Sequence, residues 1–280
     1  MKEMVNLLYQ AKHLLRRYRV FPRKRLGQNF MVERFYLNLL IDYAELVPED
    51  VVLEIGAGLG FLTELLAKKA EKVIAVEIDP RLVRVLRKRF RGIDNVEIVQ
   101  GDILKTNLQG FNKVVSTPPY SISSHLLFWI LEKPFSLAVL TFQKEFAARL
   151  NASIGSDDYC RLSVMTYYKA WIELLDEVPK EAFYPPPEVD SVIVRIKPRE
   201  NPPFKIKNEE VFQNVVRTLF TQKNKKVRNA AVLYFKEHGF DKREAQRLAA
   251  ELPFSEKKVK DLAPEDFGEI ANEICKKNIL

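Results

Sequence analysis

The sequence is poor in the residues that build cross-links and metal centres. Its 280 residues include two cysteines, Cys160 and Cys275, which lie 115 positions apart. That excludes a disulfide framework and a cysteine-rich zinc site. The three histidines, His13, His125 and His238, are scattered without ligand spacing, so no metal is expected. No Gly-x-Ser-x-Gly elbow occurs, which argues against a Ser–His–Asp hydrolase. No apolar run approaches the roughly 18 residues of a membrane span, and no N-terminal stretch reads as a signal peptide. Hydrophobic residues at 47% and charged ones at 29% suffice for a sizeable core and exclude wholesale disorder. The chain therefore reads as a soluble cytoplasmic protein of one large domain or two.

Charge is present in excess and unevenly. The chain has 45 Lys and Arg against 37 Asp and Glu, a net charge of +8. Residues 1–30 hold eight basic residues and one acid, so +7 of that excess sits in the first thirty positions. Clustered charge of this kind is read either as a polyanion-binding segment or as a solvated tail. Within it, Met4–Tyr18 has helical spacing, with Leu7, Leu8, Leu14 and Leu15 near one face. Such a helix lies on a membrane surface or, more commonly, packs on its own domain.

From residue 50 to 198 short β-rich runs alternate with helical stretches. Val51–Ile55, Val73–Ile78, Val96–Gln100, Lys113–Ser116, Leu137–Phe142, Arg161–Tyr168 and Val189–Ile196 have strand composition. Leu62–Ala70 and Arg81–Phe90 have helical period. The alternation predicts an α/β fold with a mostly parallel seven-stranded sheet and an antiparallel edge. Pro198–Phe204 reads as a linker, and residues 208–280 show helical periods only. The expected domains are 1–198, with a basic N-terminal extension, and a smaller all-α domain at 205–280.

Strand Val51–Ile55 runs into Gly56-Ala57-Gly58-Leu59-Gly60-Phe61. Glycines let the backbone turn and approach a ligand closely. A dinucleotide fingerprint would place its third glycine at position 61, where Phe61 stands. Glu77 ends the second strand, where an acid can take both hydroxyls of a ribose. Asp102 ends the third, where a carboxylate can accept from an adenine amine. Each alone is a common turn or cap residue. Together, at three consecutive strand ends, they resemble the S-adenosylmethionine-binding motifs of class I methyltransferases, a Rossmann-like fold. Ala57, Ile78 and Ile103 adjoin them as further candidate cofactor contacts, with Thr117 on the next strand end.

The fourth strand ends in Ser116-Thr117-Pro118-Pro119-Tyr120. This looks like the Asn/Asp-Pro-Pro-Tyr loop of methyltransferases acting on exocyclic base amines. Taken alone it also fits a Pro-Pro turn with Tyr120 in the core. An adenine N6 lone pair is delocalised into the ring, so the amine is a poor nucleophile. Acceptors on its hydrogens, here Thr117 and the Pro118 carbonyl, favour a pyramidal nitrogen. Tyr120 would stack on a base splayed out of its strand. Transfer is an in-line displacement in which positioning supplies most of the catalysis.

Three further segments are similar to motifs of the rRNA adenine dimethyltransferase (KsgA) family. They are Lys24–Phe30 (Lys-Arg-Leu-Gly-Gln-Asn-Phe), Glu181–Ser191 (Glu-Ala-Phe-Tyr-Pro-Pro-Pro-Glu-Val-Asp-Ser) and Phe220–Asn229 (Phe-Thr-Gln-Lys-Asn-Lys-Lys-Val-Arg-Asn). The match runs in order over residues 22–230. It implies dimethylation of two adjacent adenosines near the 3′ end of small-subunit rRNA within an immature subunit, by a monomer. It implies that Gln28, Asn29 and Met31 touch the cofactor and that Phe183 stacks opposite Tyr120. The family normally has Asn-Leu-Pro-Tyr or Asn-Ile-Pro-Tyr where this chain has Thr117–Tyr120. A threonine hydroxyl accepts one hydrogen bond but is shorter than an asparagine amide, so slowed activity is expected. A catalytically silent assembly factor and a large-subunit rRNA methyltransferase are the alternatives.

Three basic elements are candidates for RNA: Arg16–Arg25, which includes Arg23, Lys24 and Arg25; the face Arg81, Arg84, Lys88, Arg91; and the cluster Lys223, Lys225, Lys226, Arg228. A solvated helix face is the commoner explanation for any one of them. The third weighs most, because no acid occurs among residues 213–235. The first is expected to contact rRNA beside the active site.

Overall fold

The computed structural model describes residues 6–276. The beginning of the Met4–Tyr18 helix read from the sequence, Met4 and Val5, falls outside them. The described strands are β1 (Phe30–Met31), β2 (Val51–Ile55), β3 (Lys72–Glu77), β4 (Val96–Gln100), β5 (Lys113–Ser116), β6 (Leu137–Gln143), β7 (Ala170–Val178), β8 (Phe183–Tyr184) and β9 (Ser191–Pro198). The helices are α1 (Leu7–Arg17), α2 (Arg34–Tyr43), α3 (Phe61–Leu66), α4 (Pro80–Arg89), α5 (Ser123–Leu131), α6 (Lys144–Leu150), α7 (Arg161–Lys169), α8 (Glu209–Phe220), α9 (Val227–Glu237), α10 (Lys242–Ala250) and α11 (Pro264–Lys276).

Seven strands form one sheet in the order β4-β3-β2-β5-β6-β9-β7. The pairs among β4, β3, β2, β5 and β6 are parallel, and β9 runs antiparallel to β6. The chain builds outward from β2 to β4, then returns to lay β5 on the other side of β2. That reversal creates a switch point whose crevice lies at the carboxyl ends of β2 and β5. β2, β3, β5 and β6 are almost wholly buried, as strands covered on both faces must be.

One expected strand is a helix. Arg161–Tyr168 forms α7, and the last strand of the sheet is the segment after it, β7. Ser163, Val164, Met165, Thr166 and Tyr168 of α7 are all buried, so its composition shows no polar face to betray a helical period. Ser163 Oγ accepts from the Cys160 N–H at 3.1 Å and caps the first turn. β7 is hidden in the sequence because acids interrupt it, Glu173 and Glu177 exposed and Asp176 half-buried, the charge pattern of an edge strand.

The chain divides into two compact units, Met1–Ala147 with Ile172–Pro198, and Ala148–Trp171 with Arg199–Leu280. The sequence-based division at 198–205 differs from this by the excursion 148–171. α7 belongs with the C-terminal helices because its Tyr168 ring packs on Phe204 and Phe212, while Tyr159 packs on Phe220.

In the first unit, α1 is capped by Asn6, whose side chain accepts from the Leu8 and Tyr9 N–H groups. Leu7, Ala11, Leu15 and the following Val20 are buried in the core. Each buried leucine is worth about 1.5–3 kcal/mol, so the N-terminal segment is anchored on its own domain. Lys12, Arg16, Arg17 and Arg19 stay exposed.

Candidate active site

At the switch point the loop after β2 is folded by its own backbone. The N–H groups of Gly56 and Ala57 both donate to the Val76 carbonyl, at 2.8 and 3.1 Å. Gly58 has φ +58°, and a Cβ there would stand 3.0 Å from the Phe30 ring. Both facts restrict the position to glycine. The loop borders an open cleft lined also by Arg25–Met31, Glu77–Ile78, Gly101–Leu104, Thr117 and Pro119.

Glu77 is the hub of the cleft. Its Oε2 accepts from the Gly58 N–H and its Oε1 from the Asp79 N–H, each at 2.9 Å. A carboxylate has about four acceptor positions, so two remain for donors such as a vicinal diol. Burial pushes the Glu77 carboxyl above its usual value. Asp79 caps α4 and chelates Arg81, whose guanidinium holds the Asp79 carboxyl well below the usual carboxylate range. Asp102 follows the neighbouring parallel strand β4, with Oδ1 accepting from the Leu104 N–H at 3.1 Å. Ile103 is buried, whereas Ile78 is 46% exposed in the cleft. The pair offers apolar surface beside Glu77 and Asp102, suited to a flat heterocycle.

Glu54, which the sequence reading passes over, also lines the cleft. It is buried, its Oε2 has no hydrogen-bond partner, and burial pushes its pKa up to about 8. The signal that could have found it is an acid inside an otherwise apolar strand, where burial of a charge calls for a partner.

The Thr117–Tyr120 loop is clamped against the glycine loop. Ser116 Oγ donates to the Ile55 carbonyl at 2.5 Å, joining the ends of β5 and β2. A Cβ on Gly56 would lie 3.1 Å from Pro119 Cδ, and one on Gly27 would lie 3.1 Å from Pro119 Cβ. Three motifs that are distant in sequence thus converge on Pro119. Thr117 faces the cleft. Pro118 is buried beside it and does not line the cleft. The Tyr120 hydroxyl pairs with Ser191 Oγ at 2.5 Å, and burial pushes its pKa up to about 12. Tyr120 therefore stays neutral. Phe183 is buried and meets Tyr120 edge to face, with centroids 6.4 Å apart and planes at 78°. The two rings are neighbours, but they do not form two parallel faces around an open slot.

A two-stranded ribbon brings the N-terminal and late motifs together. β1 pairs with β8, setting Phe30 opposite Tyr184 and Met31 opposite Phe183. Asn29 and Met31 line the cleft. Gln28 lines it too, but its amide is committed: Nε2 donates to Asp79 and Oε1 accepts from the Arg23 N–H.

Residues 21–276 match the family described as "Ribosomal RNA adenine dimethylase". The chain belongs to that family. It is 44% identical to a "Probable ribosomal RNA small subunit methyltransferase A" of Methanosarcina barkeri, over 94% of this chain and 91% of the relative. A protein of the same description from Thermococcus onnurineus is 40% identical, over 95% and 97%. Among solved structures, a dimethyladenosine transferase from Plasmodium falciparum aligns with TM-score 0.76 and 31% identity, over 89% of this chain and 98% of that one. The 23S rRNA methyltransferase ErmE aligns with TM-score 0.63 and 30% identity, over 87% and 98%. The class I methyltransferase fold and the family resemblance read from the motifs are confirmed. The protein is an S-adenosylmethionine-dependent enzyme that modifies adenines of rRNA.

The cleft fits that cofactor on its own terms. Glu54 supplies an orphaned buried oxygen for a cationic group, Glu77 retains two acceptor positions, and Ile78 is an exposed apolar wall. No helix among the described residues is long and apolar enough to cross a membrane.

The basic residues fare unequally. Arg23, Lys24 and Arg25 are exposed, and Arg25 reaches the cleft. On α4, Arg84 and Lys88 are exposed, but Arg81 is committed to Asp79. In the second unit, Lys226 and Arg228 both pair with Glu256, and Lys223 donates to the Asp157 carbonyl. Lys225 is exposed. The C-terminal cluster is therefore partly neutralised by an acid remote in sequence.

Proposed function

We propose that the protein transfers methyl groups from S-adenosylmethionine to the N6 amines of two adjacent adenosines near the 3′ end of small-subunit rRNA. It acts as a cytoplasmic monomer on an immature small subunit. The observation that carries this reading is the Thr117–Tyr120 loop, locked against the glycine loop through Ser116 and Pro119. The names of the archaeal relatives point to the same subunit.

In this reading S-adenosylmethionine, when bound, supplies an electrophilic methyl group. Glu77 would accept from the ribose hydroxyls and Asp102 from the adenine amine, with Gly56, Ala57, Gly58, Ile78 and Ile103 shaping the pocket. Asn29 and Met31 close it from the N-terminal side, and Gln28 braces them through Asp79. The Thr117 hydroxyl and the Pro118 carbonyl accept from the target amine and favour a pyramidal nitrogen. Tyr120, neutral and tethered to Ser191, offers its face to the splayed base, and Phe183 packs the opposite flank once its ring turns. Proton loss from the methylated nitrogen needs no strong base, so placement of the amine carries the rate.

Glu54 lines the cleft and would hold a positively charged group of the cofactor. With its pKa at about 8 in the free protein, it holds a proton at neutral pH, and a bound cation favours the carboxylate. Binding at pH 7 therefore releases a proton, and affinity tightens up to about tenfold per pH unit as pH rises toward 8, then levels off. Calorimetry in buffers of differing ionisation enthalpy reads this release, and Glu54→Gln abolishes it. A wild-type affinity that is flat from pH 6 to 8 contradicts the assignment.

Primer extension on rRNA from treated immature subunits tests the target. Adjacent stops near the 3′ end of small-subunit rRNA are expected. A stop in large-subunit rRNA, the substrate type named for ErmE, would defeat the assignment.

A further inference from the structure

Phe21 is the most exposed of the large hydrophobic residues described, at 77% of its surface. A single exposed phenylalanine is ordinary; the way this one is held is not. Val20, before it, is buried, and its N–H donates to the Leu15 carbonyl at 2.9 Å. The Phe21 carbonyl accepts from Arg81 Nη2 at 3.3 Å, and Arg81 is chelated by Asp79. Asp79 in turn accepts from Gln28, whose Oε1 holds the Arg23 N–H at 2.8 Å. Pro22, next in the chain, has a fixed φ. The backbone is thus tied to α1 before Phe21 and, after it, to Arg81 and to Gln28 of the cleft wall, while the ring is left in solvent.

Its surroundings say what the ring meets. Arg19, Arg23, Lys24 and Arg25 are all exposed, and Arg25 lines the cleft. Four residues of chain span at most about 14 Å, so the Phe21 backbone lies within that reach of the backbone of Arg25, which lines the cleft. An exposed aromatic ring on an anchored backbone, in a stretch of chain that carries four exposed cations, matches a single-stranded nucleic acid, in which phosphates pair with the cations and a base stacks on the ring.

We propose that Phe21 is a positioning residue on whose ring a base flanking the target adenosine stacks, so that the strand enters the cleft in one register. This rests on the reading that rRNA adenine is the substrate. Phe21 touches neither the cofactor cleft nor the Thr117–Tyr120 loop, and acts on the reaction only through where it holds the strand.

The test compares Phe21→Ala, Phe21→Leu and Phe21→Trp with the wild type, using immature small subunits and S-adenosylmethionine. Stacking of one base on one ring corresponds to about 5- to 150-fold in affinity. Phe21→Ala is expected to raise KM for the subunit about tenfold with kcat, cofactor Kd and thermal midpoint unchanged. Phe21→Leu behaves as Ala, and Phe21→Trp restores KM. The salt dependence of binding keeps its slope, because no phosphate contact is lost. The new indole of Phe21→Trp is quenched by bound RNA, beyond any change from Trp129 and Trp171 in the wild type. An unchanged KM in Phe21→Ala, or full rescue by Leu, overturns the proposal while methyl transfer by the wild type upholds the substrate reading. A wild type that neither binds nor methylates the subunit overturns both.

Discussion

Replacing Glu77 by alanine is expected to weaken S-adenosylmethionine binding at least about 100-fold, or roughly 2.7 kcal/mol. The effect is large because this carboxylate does two things at once. It holds the N–H groups of Gly58 and Asp79, and so fixes the glycine loop and the start of α4. It also presents its remaining acceptor positions to the cleft. Hydrogen bonds to a charged group contribute about 1.5–3 kcal/mol each, and alanine leaves two backbone donors without their acceptor. Glu77→Gln is milder, near tenfold, because the amide oxygen keeps one donor while its NH2 opposes the other. Titration calorimetry reads both values, with the thermal midpoint as a check on folding. An affinity within threefold of wild type in Glu77→Ala would refute the placement of the ribose.

Removing the Thr117 hydroxyl has the second large effect. Thr117→Val keeps the shape and deletes the acceptor, and is expected to lower kcat at saturating cofactor and subunit by about 10- to 100-fold, the worth of one hydrogen bond made in the transition state. Thr117→Asn restores the family residue with a longer acceptor and raises kcat at least about threefold. Single-turnover methylation separates this from product release. Equal rates in the wild type and Thr117→Val would leave the Pro118 carbonyl as the only acceptor and remove Thr117 from catalysis.

Much of the site was legible because it sits at strand ends. Gly56, Glu77, Asp102 and Thr117 each follow an apolar run, and parallel strands deliver such ends to one rim of the sheet. The parts that were not legible depend on long-range pairing. Nothing local in Phe30–Met31 or Phe183–Tyr184 announces a ribbon of two-residue strands. Pro119 reads as a turn residue, yet Gly27 and Gly56 both close on it. α7 has the composition of a strand because a helix buried on most sides loses its polar stripe. The cluster Lys223–Arg228 reads as free charge until Glu256 is placed against Lys226 and Arg228. Deleting residues 1–20 would remove Leu7, Ala11, Leu15 and Val20 from the core, so neutralising the exposed Arg16, Arg17 and Arg19 is the cleaner probe of RNA binding.

By the proposed function, the enzyme with its threonine-bearing loop methylates adenine N6 twice. Purified protein is incubated with immature small subunits and labelled S-adenosylmethionine, and the rRNA is digested to nucleosides. Label is expected in N6,N6-dimethyladenosine. Cofactor bound by the protein with no labelled dimethyladenosine in the digest would contradict it.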